Sequence, residues 1–123
     1  MVDDASGVPG WALVVILAVQ VALGVALFLT ARLGASGRLR RNPYFGLRTP
    51  RSLADDAAWD HVHRKAAPVV RVAFAVVVVG TAVLVVTTGD MALFITTLLT
   101  TDVLAVVVLL VAVWIGHRDL PRG

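Results

Sequence analysis

Three long apolar stretches dominate the chain and leave its polar residues to one loop, one short link and the two ends. Residues 11–33 start at Trp11 and carry no charge before Arg32. As a helix, 23 residues at 1.5 Å each reach about 35 Å, more than a hydrocarbon core of roughly 30 Å. Residues 68–88 form a second, valine-rich stretch with Pro68 placed for a first helical turn and only Arg71 charged. Residues 92–116 form the third, interrupted only by Asp102. Valine favours strands in water, but a lone strand in lipid leaves its backbone polar groups unsatisfied, so helix is the expectation. The link Gly89-Asp90-Met91 is short enough to make the last two spans an antiparallel hairpin.

The loop, residues 34–67, opens on Gly34-Ala35-Ser36-Gly37 and runs through Arg38-Leu39-Arg40-Arg41 into a segment with two prolines and a glycine, Pro43, Gly46 and Pro50. That composition predicts turns, with Gly46 free to adopt positive φ. From Ser52 the pattern is that of a helix: Ser52 as N-cap, Asp55 and Asp56 in the first turn, Arg64 and Lys65 in the last. Leu53, Trp59, Val62 and Ala66 give it an apolar face, as in a helix lying in the membrane interface. The expected architecture is therefore all-α: a polytopic membrane protein, one membrane domain over residues 1–123, with three transmembrane helices plus a short interfacial amphipathic helix in the loop.

Composition agrees with this pattern. Hydrophobic residues make up 59% of the 123 and charged ones 15%, with a mean hydropathy of +0.88, too apolar for a small water-soluble domain. Cysteine is absent, which excludes disulfides, thiolate metal sites and cysteine nucleophiles. The formal charge of +3 suggests nucleic acid only until the basic residues are placed. All eleven fall at the span ends, loop or tail on one side, whereas Asp3, Asp4 and Asp90 mark the other. The positive-inside rule makes that basic side cytoplasmic, with the N-terminus outside and the C-terminus inside a bacterial inner membrane, and removes the need for a nucleic-acid partner. A cleaved signal peptide is a poor fit, because the basic n-region is missing and the apolar stretch is long. Trp11 and Trp114 sit where indoles prefer the membrane boundary.

The segment Asn42-Pro43-Tyr44-Phe45-Gly46-Leu47-Arg48-Thr49-Pro50, followed by Ser52-Leu53, Trp59 and His63-Arg64, resembles the signature loop of the SdpI family of bacterial membrane proteins. In that family a loop of the form N-x-x-F/Y-G-I/L-R-T, then a hydroxyl residue, a capped helix and W-x-x-x-H/N, lies between membrane helices. The resemblance covers residues 38 to about 67 by motif. It implies an integral membrane immunity protein that protects a toxin-producing cell from its own secreted peptide and sequesters a transcriptional repressor at the membrane. It also implies roles for Asn42, Gly46, Arg48, Thr49, Trp59 and His63, and no catalytic activity.

Read as chemistry, Tyr44, Phe45 and Leu47 are apolar groups in a basic surrounding, suited to headgroups or to a peptide partner. The Arg48 guanidinium fits a lipid phosphate, a partner carboxylate, Asp55 or Asp56, or backbone carbonyls within the loop. Asn42 and Thr49 suit local turn bonds, and His63 a loop carbonyl near Trp59. Within the spans, Asp102 lies about 15 Å from the outer end of its helix and Gln20 at a similar depth, so the two can pair across the bundle. An intramembrane carboxylate opens a second reading, a small transporter or proton-coupled subunit. Ala18, Ala22 and Ala26 form a small-residue ridge for packing within the chain or in a homo-oligomer. His61 and His63 point to different faces of a helix, and no nucleophile has a paired base, so neither a metal, a cofactor nor an enzyme is expected. The partners expected are membrane lipid and a peptide toxin or regulatory protein.

Overall fold

The computed structural model describes residues 7–120 and contains three α-helices, α1 (Gly10–Ser36), α2 (Asp56–Val86) and α3 (Met91–His117). Asp3, Asp4 and Arg122 lie outside the described residues. Each helix is long and apolar enough to cross a membrane, and the chain is a multi-pass membrane protein. α1 ends at Gly37, whose φ of 74° lets the chain turn back so that the amides of Arg38 and Leu39 bond the Leu33 carbonyl. α3 is capped by Asp90, which accepts the Leu93 amide at 3.1 Å.

α2 departs from the sequence expectation. Ser52 does not cap a helix; Asp55 does, with an extended backbone and its Oδ1 accepting the Ala58 amide at 2.7 Å. From Asp56 the helix continues through Pro68 to Val86, so no separate interfacial helix exists among the described residues. The residues assigned to it form the first turns of α2, and Arg64 and Lys65 lie in its interior rather than at an end. Pro68 is likewise internal instead of occupying a first turn. The proline removes one amide donor, and the carbonyl left without it belongs to exposed Arg64, at the loop end of the helix, where a polar environment can satisfy it.

α2 lies between the other two: α1 and α3 both pack on it, and their backbones do not approach each other. Small residues permit the contact, as expected where lipid supplies no hydrophobic drive between helices. Gln20, Gly24, Leu27 and Ala31 of α1 face Val70, Ala73 and Val77 of α2, and Ala105 and Ala112 of α3 close the core. Gly80 lets α3 approach so closely that a Cβ there would overlap the Thr101 side chain. Ala18 and Ala22 are exposed, so this ridge does not pack within the chain. The valines that fill α2 largely point outward, among them Val72, Val79 and Val85. Loop 37–55 and the end of α3 share one face of the molecule; the other carries the α2–α3 link, whose Thr88 carbonyl accepts the Val8 amide at 3.0 Å.

Replacing Gly80 by alanine is expected to destabilise the detergent-solubilised protein by about 1–3 kcal/mol, the usual cost of overpacking. Gly89→Ala, where a Cβ would meet open space, serves as the near-neutral control in the same thermal unfolding measurement.

Candidate functional site

The loop is built on side chain to backbone bonds. Asn42 Oδ1 accepts the amides of Tyr44 (2.8 Å) and Phe45 (2.7 Å), while its Nδ2 donates to the Arg40 carbonyl. This turn presents the Asn42 carbonyl to Arg48 Nε at 3.2 Å. Gly46 follows with φ of 100°, and a Cβ there would meet His63 Nε2 at 2.6 Å and the Trp59 ring. Both the dihedral and the space therefore call for glycine. Thr49 and Ser52 then bond reciprocally, the Thr49 amide to Ser52 Oγ (2.9 Å) and the Ser52 amide to Thr49 Oγ1 (3.1 Å). Ser52 Oγ donates to the Leu47 carbonyl at 2.7 Å and is fully buried.

The platform beneath this loop comes from the first turns of α2. Trp59 and His63, one helical turn apart, are both buried, with ring centroids 4.2 Å apart. Trp59 Nε1 donates to the Leu39 carbonyl at 2.8 Å. His63 Nδ1 lies 2.7 Å from the Trp59 carbonyl, and its Nε2 accepts the Leu47 amide at 2.8 Å. A carbonyl only accepts and an amide only donates, so this network assigns His63 as the neutral Nδ1–H tautomer. Burial lowers its pKa from the usual 6.5, outweighing the Trp59 carbonyl and Asp60, which favour the charged form; His117 adds to the lowering.

A third set of bonds reaches α3. Thr49 Oγ1 lies 2.5 Å from His117 Nε2, and His117 Nδ1 lies 2.7 Å from the Val113 carbonyl, so the threonine hydroxyl is the donor. Arg51 Nη2 donates to the Leu120 carbonyl, and Lys65 pairs with Asp119 at 3.2 Å. Gly116 abuts Val62 and Gly34 abuts His63, which brings the ends of α3 and α1 close against α2.

Of the loop residues singled out from sequence, Asn42, Gly46, Thr49, Trp59 and His63 converge as this internal scaffold. Tyr44, Phe45 and Arg48 present their side chains outward, with Tyr44 85% exposed. The ion pair to Asp56 is made by Arg41, at 3.3 Å, rather than by Arg48. Sequence reasoning missed Ser52 as a loop anchor and His117 as the partner of Thr49. The reciprocal Thr-x-x-Ser spacing was a local signal for the first; nothing local signals a contact 68 residues away.

In the spans, Gln20 Nε2 donates to Asp102 Oδ1 at 3.0 Å. Gln20 is 2% exposed, so its amide is held in the helix packing rather than turned to lipid. Thr96 and Thr97 donate to the carbonyls of Ala92 and Leu93 in their own helix and line no polar path with these bonds. Among the described residues no three His, Asp or Glu side chains group as metal ligands.

The His63 arrangement generates a pH prediction. With the folded pKa lowered, the unfolded chain takes up a proton first as pH falls below 6.5, so stability declines from there down to the folded pKa and is level above 6.5. Thermal unfolding of the purified protein from pH 8 to pH 5 is expected to show this decline, and His63→Gln to flatten it.

The sequence model of the SdpI/YfhL protein family matches residues 38–116, from the start of the signature loop through α2 and almost all of α3. No curated protein and no solved structure matches the chain. The match takes in well over half of the 123 residues and the loop contacts described above except those that reach Gly34, His117, Asp119 and Leu120, and on that ground the chain belongs to the SdpI/YfhL protein family.

Proposed function

We propose that this protein is an immunity or signalling protein of the SdpI type, which binds a membrane-active peptide toxin or a regulatory protein and acts by binding rather than by catalysis. Its loop face lies on the cytoplasmic side of a bacterial inner membrane, with the N-terminus outside and the C-terminus inside, because the described basic residues cluster toward that face. The observation that carries the reading is the division of the signature loop into two sets of side chains. One set is consumed in hydrogen bonds and burial; Tyr44, Phe45 and the outer atoms of Arg48 are left exposed on a backbone fixed from below. Aromatic and arginine side chains on a preorganised loop lose little entropy on binding and dominate recognition surfaces.

A second reading rests on the Gln20–Asp102 hydrogen bond. A carboxylate about 15 Å from the nearer end of a span, given one amide donor, is the kind of group that carries protons or a ligand in a small transporter or coupled subunit.

Survival of a sensitive host expressing the protein, challenged with membrane-permeabilising peptides, separates the two. Under the first reading Arg48→Ala and Tyr44→Ala each lower the tolerated peptide concentration about tenfold, as expected for loss of an interface anchor, while Asp102→Asn leaves it unchanged. Protection that survives both loop substitutions at matched membrane levels, and fails with Asp102→Asn, transfers the function to the bundle interior.

A further inference from the structure

Among the described residues, two arginines near the loop end of α1 and α2 have no acidic partner. Arg32 of α1 and Arg71 of α2 line one cleft of about 450 Å³ together with Phe28, Ala31 and Phe74. Every described carboxylate on this side is engaged elsewhere. Asp55 caps α2, and Asp56, Asp60 and Asp119 pair with Arg41, Arg64 and Lys65. Arg32 lies over the Phe28 ring at 5.9 Å, and among the described residues Arg71 makes no ion pair or hydrogen bond. Arg71 is 15 residues from the far end of α2, about 22 Å, so in a hydrocarbon core of roughly 30 Å its Cα is below the headgroup level and its guanidinium must reach up. A cation in that position is costly unless an anion meets it.

The cleft does not end at the arginines. Phe28 and Phe74, with centroids 5.5 Å apart, also line a second groove of about 370 Å³ that continues between α1 and α2 along Val21, Val25 and Val78. A bidentate cationic end joined to a long apolar channel opening on the lipid side matches one chemistry, an anionic head on a hydrocarbon tail. We infer that this cleft binds an anionic glycerophospholipid of the loop-side leaflet, with its phosphate between Arg32 and Arg71 and one acyl chain in the α1–α2 groove.

The test is native mass spectrometry of the full chain released from neutral detergent, with phosphatidylglycerol or phosphatidylcholine added at equal concentration. Wild type is expected to retain phosphatidylglycerol preferentially, and Arg32→Gln or Arg71→Gln to lower that retention about fivefold each, the effect of one arginine at an anionic membrane surface. Arg118→Gln, which removes a loop-side arginine stacked on Trp114 across the molecule, is expected to leave it unchanged. Val25→Trp keeps both arginines but fills the groove, and should lower retention as well. Arg32→Lys with Arg71→Lys keeps the charge and the preference for the anionic lipid, which separates loss of charge from loss of fold. Equal retention of the two lipids, an equal loss with Arg118→Gln, or full retention with Val25→Trp overturns the assignment. So does a groove variant that retains phosphatidylglycerol and loses protection against peptides, which would make the cleft a peptide site.

Discussion

The loop face depends on the imidazole of His63 staying neutral. Its two nitrogens serve opposite needs, one donating to a carbonyl of its own helix and the other accepting the Leu47 amide. Protonation would put a second N–H against that amide and leave both donors facing each other in a buried site. From this bond the rest of the loop follows. Leu47, held by its amide to His63, offers its carbonyl to Ser52; Ser52 fixes Thr49; Thr49 reaches His117. Gly46 is required because the same imidazole and the Trp59 ring occupy the space a side chain would need. The chemistry of the motif is thus largely the chemistry of holding a turn against a helix.

The same economy governs the helices. Lipid and valine side chains are equally apolar, so the spans gain nothing from hiding valine and much from close backbone approach. Most valines accordingly face outward, and the contacts between helices combine glycine, alanine and a few polar groups with Leu27, Val70 and Val77. α2 takes the central position with Ala73 and Val77 in the core it shares with α1 and Gly80 against Thr101 of α3. α1 and α3 meet through the Gln20–Asp102 side chains, and the segment before α1 is tied to the α2–α3 link by the Val8 amide.

How far this was legible depends on range. The three spans could be read because length and hydropathy decide them without reference to tertiary contacts, and the Asn42 turn because its bonds close within three residues. Gln20 and Asp102 could be matched because depth in a membrane is a one-dimensional coordinate that counting residues supplies. The start of α2 was misplaced for a physical reason. Ser52 and Asp55 are both competent caps, and the choice went to Asp55 once the Ser52 hydroxyl and amide were committed to Leu47 and Thr49. The proline that seemed to separate an interfacial helix from a span costs one hydrogen bond, which a long helix with packed ends on both sides tolerates. His117, Gly34 and Gly116 were illegible because their partners lie in the distant loop or on another helix, and nothing in the sequence gives the rotation of one helix against another.

The two polar links between α1, the loop and α3 bear on how the molecule responds as a unit. At mid-span Gln20 ties α1 to α3 across the face of α2; at the loop boundary Thr49 and Arg51 tie the segment leaving α1 to the end of α3. A displacement of the exposed turn carrying Tyr44, Phe45 and Arg48 must therefore be absorbed within residues 42–48 or passed to His117 and Leu120. Within that stretch the Asn42 side chain and the Leu47 amide are both anchored, and Gly46 is already confined by two rings. The turn has little slack, so it meets a partner as a nearly fixed surface braced on α2 and, through the Thr49–His117 bond, on the end of α3.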